Sequence, residues 1–295
     1  MIYTVTLNPS IDYSMFLSHF GEGKINRSDR EVTSFGGKGI NVSAMLKNLG
    51  VESVALGFVG GFSGREIARL AGVSGIECDF CEIRDDSRIN VKIISERESA
   101  INGLGPLIRL EEEEMLVSKL RGLSSEDTVI ISGSAPDSES GKLLQNIIDA
   151  ASGAKLVADM EGDSLRYAIE KKPFLIKPNY DELCALFGSD SMDIGEIAGA
   201  AVRLREMGAE NVAVSLGKDG ALLAAGDGNL YRMRAPEIKA VSTVGAGDSF
   251  LAGFLAGLSR DMQFALALGV AAGSATASCS GIADTASVME ILSEM

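Results

Sequence analysis

Short apolar runs rich in β-branched residues alternate with helical patterns along nearly the whole chain, and this alternation constrains the fold more than any other feature. Strands are predicted over Ile2–Leu7, Ser53–Phe58, Thr128–Ser132, Lys155–Ala158, Phe174–Ile176 and Asn211–Ser215. Helices are predicted over Ile40–Leu49, Gly64–Ala71, Glu111–Leu120, Gly141–Ala151, Ile194–Met207, Ala246–Gly257 and Phe264–Ser278. Val129-Ile-Ile131 is apolar throughout, as a parallel strand covered by helices on both faces should be. The expectation is an α/β fold with one doubly wound, mostly parallel sheet spanning residues 1–295 as a single domain. No linker-like composition or internal repeat divides it. Two stretches break the pattern, about 12–34 and 88–102, where polar residues recur at every second position. They predict extra strands forming a small β-sheet that projects from the main sheet as a lid.

Composition narrows the function. The chain is 46% hydrophobic with only 6 prolines in 295 residues, enough to bury a sizeable core. Its 27 basic against 41 acidic residues give a net charge of −14. That opposes non-specific nucleic-acid binding, which needs a basic face to displace counterions. A phosphorylated anion would have to be met by individually placed lysines and arginines. Met1–Leu7 reads as a strand, without a basic leader or cleavage site. The apolar stretches Phe250–Leu258 and Phe264–Ala272 are too short and too rich in Gly and Ala to span a bilayer. A cytoplasmic protein without a membrane partner is therefore expected. Cys78-Asp-Phe-Cys81 is a lone CxxC with no second pair, so structural thiols are a better reading than zinc. His19, the only histidine, supports no nucleophile–histidine pair. The acidic run Glu111–Glu114 is expected to open a helix as solvated carboxylates.

Two segments carry chemistry. Val244-Gly-Ala-Gly-Asp248 is a glycine turn feeding directly into an apolar helix. Gly245 and Gly247 leave backbone N–H groups uncovered at the positive end of that helix, beside the Asp248 carboxylate. The arrangement suits phosphoryl transfer: the glycine amides hold developing charge while Asp248 takes a proton from the attacking hydroxyl. An ordinary Gly/Asp helix start would read the same way from this segment alone. Gly36-Gly37-Lys38-Gly39-Ile-Asn41 is a second glycine turn before a helix. It is not a Walker A loop, since Lys38 is followed by Gly and the glycine spacing is wrong. Nor does any G-x-G-x-x-G follow a strand, which weighs against a dinucleotide oxidoreductase. Close backbone approach at Gly36 and Gly37 with the Asn41 amide suits a polyhydroxylated ligand.

Together these segments resemble the paired motifs of the ribokinase-like sugar kinases, the phosphofructokinase-B family. The resemblance continues through Thr6-Leu-Asn-Pro-Ser-Ile-Asp12, Arg88-Ile-Asn-Val-Lys92, Ile101-Asn-Gly103, Ser132-Gly-Ser134, Lys177-Pro-Asn-Tyr-Asp-Glu182 and Ser215-Leu-Gly-Lys-Asp-Gly220. Each string is weak alone; eight in this order are specific. The resemblance implies a doubly wound domain with a β lid, ATP and Mg²⁺ as requirements, and a base at Asp248 with Gly245, Ala246 and Gly247 as the anion hole. It implies that Lys177 and Asn179 lie near the ATP phosphates, with Glu182 helping to hold Mg²⁺. Ser215, Leu216, Gly217, Lys218, Asp219 and Gly220 would form part of the nucleotide loop. Asp12, Gly36, Gly37, Lys38 and Asn41 would meet the sugar. The competing readings are that Glu182 merely opens a helix and that Ser215–Gly220 is only a hairpin turn. Met160-Glu161, after Asp159, departs from the small residue expected there.

At strand period, Arg88, Asn90 and Lys92 share one face, and Ile89, Val91 and Ile93 the other. Two cations and an amide on one face suit a sugar that already carries a phosphate, although a solvated edge strand guarded by Lys would look similar. With Asn102 in Ile101-Asn-Gly103, the string resembles 1-phosphofructokinases more than tagatose-6-phosphate kinases. That similarity implies ATP-dependent conversion of fructose 1-phosphate to fructose 1,6-bisphosphate, with tagatose-6-phosphate kinase as the alternative. A non-catalytic sugar-phosphate sensor on the same fold would be expected to lack Asp248. The apolar back face of Ile89, Val91 and Ile93 predicts a homodimer formed through the lid.

Overall fold

The all-apolar strands owe their pattern to a sheet with both faces covered. In Thr128–Ser132, Val129 and Ile131 enter one hydrophobic cluster and Ile130 the other. In Lys155–Asp159, Leu156 and Ala158 oppose Val157 in the same way. Alternate side chains leave a strand on opposite faces, so a strand buried on both sides has no wet position.

The computed structural model describes all residues from Met1 to Met295. Its larger sheet runs, edge to edge, Leu230–Met233, Ala221–Ala224, Asn211–Ser215, Leu175–Ile176, Lys155–Asp159, Thr128–Ser132, Ile2–Thr6, Ser53–Gly60 and Glu77–Cys78. Cys81–Ile83 also pairs with Ser53–Gly60. All pairings are parallel except those that Ala221–Ala224 makes with its two neighbours. The doubly wound α/β fold is therefore present, and the carboxyl ends of its central strands open at one edge, where ligands of such sheets bind.

The small sheet is separate, in the order Arg30–Gly36, Ser10–Phe16, Arg88–Ile94, Glu98–Asn102. Ser10–Phe16 pairs antiparallel with Arg30–Gly36 and parallel with Arg88–Ile94. The stretch 12–34 is thus not continuous strand. Between Phe16 and Arg30 the chain leaves the sheet through a loop in which the Asn26 side chain accepts from the Gly21 amide and Asp29 accepts from Ser18. Register places Ser10, Asp12 and Ser14 on one face with Arg88, Asn90 and Lys92. The back face divides in two. Ile11, Phe35 and Ile89 pack onto the body of the protein, against Ile40, Val59 and Ile67. Val91 and Ile93 lie farther out and are half-exposed.

Several short elements carry no periodic signal: the helices Gly162–Glu170, Tyr180–Phe187 and Thr285–Ser293, and the strands Glu77–Cys78, Cys81–Ile83, Ala221–Ala224 and Leu230–Met233. The helix expected from Gly141 starts at Leu143 because Gly141 itself is left-handed, at φ 64°. Glu112 and Glu113 are not solvated as expected; they are 3% and 5% exposed. Glu112 accepts from the backbone amides of Arg84 and Arg109, and Glu113 from Ser140 and Asn146, so each buried carboxylate is paired. Burial raises the thiols of Cys78 and Cys81 to about 11, which keeps both protonated at neutral pH.

Candidate active site

The carboxyl ends of Ile2–Thr6, Thr128–Ser132, Lys155–Asp159, Leu175–Ile176 and Asn211–Ser215 form the floor of a cleft of about 2350 Å³. The small sheet makes one wall. A site for one drug-sized ligand is roughly 300–1,000 Å³, so this cleft has room for two substrates. Of the residues singled out in the sequence, all but Asn102 lie on its surface: Asp12, Gly36, Gly37, Lys38, Asn41, Arg88, Asn90, Lys92, Lys177, Asn179, Glu182, Ser215–Gly220 and Gly245–Asp248. Asn102 pairs with Asn90 but sits on an exposed edge strand, away from the cleft surface. Edge strands have sheet on one side only, and here that leaves the side chain in solvent.

The turn before Ala246–Gly257 is built as its glycines require. Gly245 is the N-cap at φ 80°, left-handed, and a Cβ there would fall 2.8 Å from Ile282 Cδ1. The amides of Gly247 and Asp248 reach no backbone acceptor, as expected of a helix first turn, whereas that of Ala246, expected in the anion hole, donates to the Thr243 carbonyl at 3.3 Å. The Lys177 ammonium lies beside Gly247, about 3.6 Å from where a Cβ would stand. Unpartnered amides and a cation therefore lie side by side, which is what an anion needs.

Asp248 is 6% exposed, and its Oδ2 accepts from Asn41 Nδ2 at 2.8 Å. Burial and then the negative charge of Asp159 push its pKa up to about 6, against the lowering effect of Asn41, Lys177 and Lys38. A carboxylate near 6 is ionised at neutral pH yet basic enough to accept a proton, as a general base should be.

Asp159 is the residue that sequence reasoning missed. It is fully buried, and its Oδ1 faces Lys177 Nζ at 3.1 Å and Lys38 Nζ at 3.5 Å. Lys38, expected to meet the sugar, lies on the cleft surface and also reaches Asp159. Burial works against its charge, yet Asp159, Asp248 and Glu182 outweigh that, and its pKa is held above the ordinary lysine value. The available signal was a carboxylate closing an otherwise apolar strand, Leu156-Val-Ala-Asp159. Met160, just beyond, turns inward and is 3% exposed, while Glu161 is exposed.

Toward the small sheet, Asp12 is held by Lys92 Nζ at 3.0 Å and Asn90 Nδ2 at 3.0 Å. Arg88 donates from Nε to the Asn8 carbonyl at 3.2 Å, a bond that orients its guanidinium. A Cβ at Gly36 would sit 2.5 Å from Asp12 Oδ1, so only glycine lets the turn approach this carboxylate. The acceptor oxygens of Asn8 and Asn90 are buried without partners.

At the opposite end, Ser215–Gly220 is indeed a hairpin turn, joining Asn211–Ser215 to Ala221–Ala224, and it also lines the cleft. Asn179 and Glu182 form a reciprocal capping box at 2.8 Å each way, so Glu182 does open a helix. That bond uses Glu182 Oε2 and leaves Oε1 uncommitted. No group of three or more carboxylate, thiol or imidazole side chains converges anywhere. The donor set therefore fits a Mg²⁺ that arrives on nucleotide phosphates and keeps most of its water, not one caged by protein.

Residues 5–288 match the pfkB family carbohydrate kinases. The chain is 42% identical over 299 aligned residues to the 1-phosphofructokinase of Bacillus subtilis, covering 100% of this chain and 98% of that protein. It is 36% identical over 265 residues to a tagatose-6-phosphate kinase of Staphylococcus epidermidis, covering 88% and 85%. The crystal structure of Escherichia coli phosphofructokinase-2 in complex with fructose-6-phosphate superposes with a TM-score of 0.90 at 28% identity, covering 99% and 98%. A glycine-turned helix start carrying a buried carboxylate, on a doubly wound sheet with a separate small sheet, is thus accompanied by family likeness over nearly the full length, and the chain belongs to the pfkB family of carbohydrate kinases.

Proposed function

We propose that the protein transfers the γ-phosphoryl group of ATP to the free terminal hydroxyl of a ketohexose monophosphate, fructose 1-phosphate above others, giving fructose 1,6-bisphosphate and ADP. The observation that carries this reading is one cleft with two cationic poles. Lys177 stands beside the Gly247 amide at the floor, and Arg88 with Lys92 stands on the small sheet. One pole suits the phosphoryl group in transfer, and the other a phosphate the sugar already carries. The names of relatives at 40–42% identity, 1-phosphofructokinases of Bacillus subtilis and Borreliella burgdorferi, support the choice of sugar.

In this reading Asp248 accepts the proton of the attacking hydroxyl, held toward it by the Asn41 amide. The amides of Gly247 and Asp248, with Lys177, stabilise charge on the transferring group. Asp12, Gly36, Gly37, Asn41 and Asn90 bind the sugar hydroxyls, and Arg88 and Lys92 its phosphate. Ser215–Gly220 and Asn179 face the nucleotide. Mg²⁺ would neutralise phosphate oxygens of ATP, with Glu182 as the carboxylate that reaches its shell. The small sheet acts as a lid that excludes water once sugar phosphate binds.

Relatives named D-tagatose-1-phosphate kinase and tagatose-6-phosphate kinase, both at 36% identity, favour a second reading with a tagatose phosphate. ADP release measured across fructose 1-phosphate, fructose 6-phosphate, tagatose 1-phosphate and tagatose 6-phosphate decides. The reading requires the highest kcat/KM with fructose 1-phosphate; a preference for either tagatose phosphate overturns the choice of sugar.

In the same reading the protein is a homodimer formed through the small sheet, with an interface narrower than strand period alone suggests. Ile89 is already packed on its own chain, so the interface uses Val91 and Ile93. Four unbridged cysteines are in keeping with a cytoplasmic setting.

A further inference from the structure

We infer that Asp159 is the positioning residue of this site: it holds the Lys38 and Lys177 ammonium groups together beside Asp248 and acts through them, without touching substrate. The inference rests on the reading that the cleft transfers a phosphoryl group. Three observations carry it, and the first is geometric. The two lysines come from distant parts of the chain, Lys38 from the start of the helix Lys38–Asn48 and Lys177 from beyond the strand Leu175–Ile176. Both reach one oxygen, Asp159 Oδ1, at 3.5 and 3.1 Å. Two ammonium groups in one partly dry site repel, and the shared anion is what lets both remain.

The second observation is an unspent oxygen. Asp159 Oδ2 is buried with no hydrogen-bond partner. Its register neighbour on the adjacent strand, Ser132, likewise has a buried hydroxyl without a partner. Fold-supporting carboxylates in this molecule, such as Glu112, are capped on both oxygens. A buried polar group left unsatisfied calls for an explanation beyond packing.

The third is electrostatic. The polar and charged groups facing Asp248 are Asn41 and Lys38 from Lys38–Asn48, Asp159 from Lys155–Asp159, and Lys177. Lys38 also faces Glu182. Asp159 is the one anion that raises the proton affinity of Asp248, and the two lysines lower it. Asp159 therefore has two opposed effects on the base, one directly through space and one by keeping the cations in place.

Asp159→Asn, which keeps the shape and removes the charge, separates this role from a structural one. We expect kcat at alkaline pH to fall roughly ten- to a hundredfold, the scale of lost charge-assisted contacts, with KM for sugar phosphate little changed. The acid limb of the kcat profile should move to lower pH, because the direct effect of the Asp159 charge on Asp248 exceeds that of either lysine. The sugar phosphate titrates in the same range with both enzymes, so the difference between the profiles reports the protein alone. A variant merely weakened in fold would lose activity sooner on acidification and shift its limb upward, and that result overturns the inference. Should Asp159→Asn not fold, Lys177→Met, Asp159→Asn removes one of the unpaired charges with it. Relative to Lys177→Met alone, the added loss of Asp159 should lower kcat much less than tenfold; a loss of tenfold or more overturns coupling through Lys177. Carbon NMR of the Asp248 carboxyl, assigned by its absence in Asp248→Asn, needs no turnover. Its midpoint should fall less on Asp159→Asn in the wild type than in a Lys38→Met, Lys177→Met background, where no cation is left to release; equal falls overturn the inference. A wild type inert toward every ketose phosphate would instead overturn the functional reading while this titration still judges Asp159.

Discussion

The floor of the cleft and its small-sheet wall are built to opposite rules. On the floor, Asp248 and Asp159 are buried, tied to Asn41, Lys38 and Lys177, and fixed to elements packed into the main core. On the wall, Arg88 and Lys92 are partly solvated, and the edge strands Arg30–Gly36 and Glu98–Asn102 are largely exposed. Phosphoryl transfer needs groups held within an ångström of their working positions. Recognition of a substrate phosphate needs cations that can close on it and let the product go. Buried, tied carboxylates and partly solvated cations thus sit on different parts of one cleft.

The largest effect expected from this contrast is at the base. Asp248→Asn retains the shape but cannot accept a proton, so kcat should fall by ~10²–10⁴ with ATP affinity nearly unchanged. Near-normal turnover in a steady-state assay would remove Asp248 from its role and end the contrast at once. On the wall, Arg88→Ala should raise KM for fructose 1-phosphate by roughly ten- to a hundredfold, the value of a charge-assisted hydrogen bond. KM for ATP should barely move; equal effects on both substrates would mean that the two poles are not separate.

A smaller effect is expected from pH. The Asp248 carboxyl is raised to about 6, so the base is ionised above that pH and protonated below it. At saturating substrates kcat should be level at neutral pH and drop about tenfold per unit on the acid side. A profile flat well below 6 would show that proton acceptance does not limit the reaction. The smallest effect on chemistry should come from the outer back face. Val91→Asp, Ile93→Asp leaves every floor group in place, so sedimentation should change from dimer to monomer while ATP binding is kept. Wild type that sediments as a monomer at micromolar concentration would remove the dimer.

The two regions also differed in how far the sequence revealed them. Turn chemistry is local, so Gly245–Asp248 and Gly36–Asn41 announced themselves as glycine turns before helices. Asp159 did not, because its meaning lies in two lysines that approach from residues 38 and 177. Ile89 looked like part of a free apolar face, since strand period tells which side a residue occupies but not what covers that side. Asn102 shared a face with Asn90, yet only the sheet order shows that its strand is an exposed edge.

What the sequence determined by itself was the doubly wound sheet, the separate small sheet, and the residue types gathered at the cleft. These follow from periodicity and from backbone demands at glycine, both of which act over a few neighbouring residues. Only the tertiary structure decided that Lys38 reaches Asp159, that Glu112 and Glu113 are buried, and that Asp248 is pushed to about 6. The physical reason is that burial and Coulomb interaction depend on distances through space, and those distances exist only once strands far apart in the chain lie side by side.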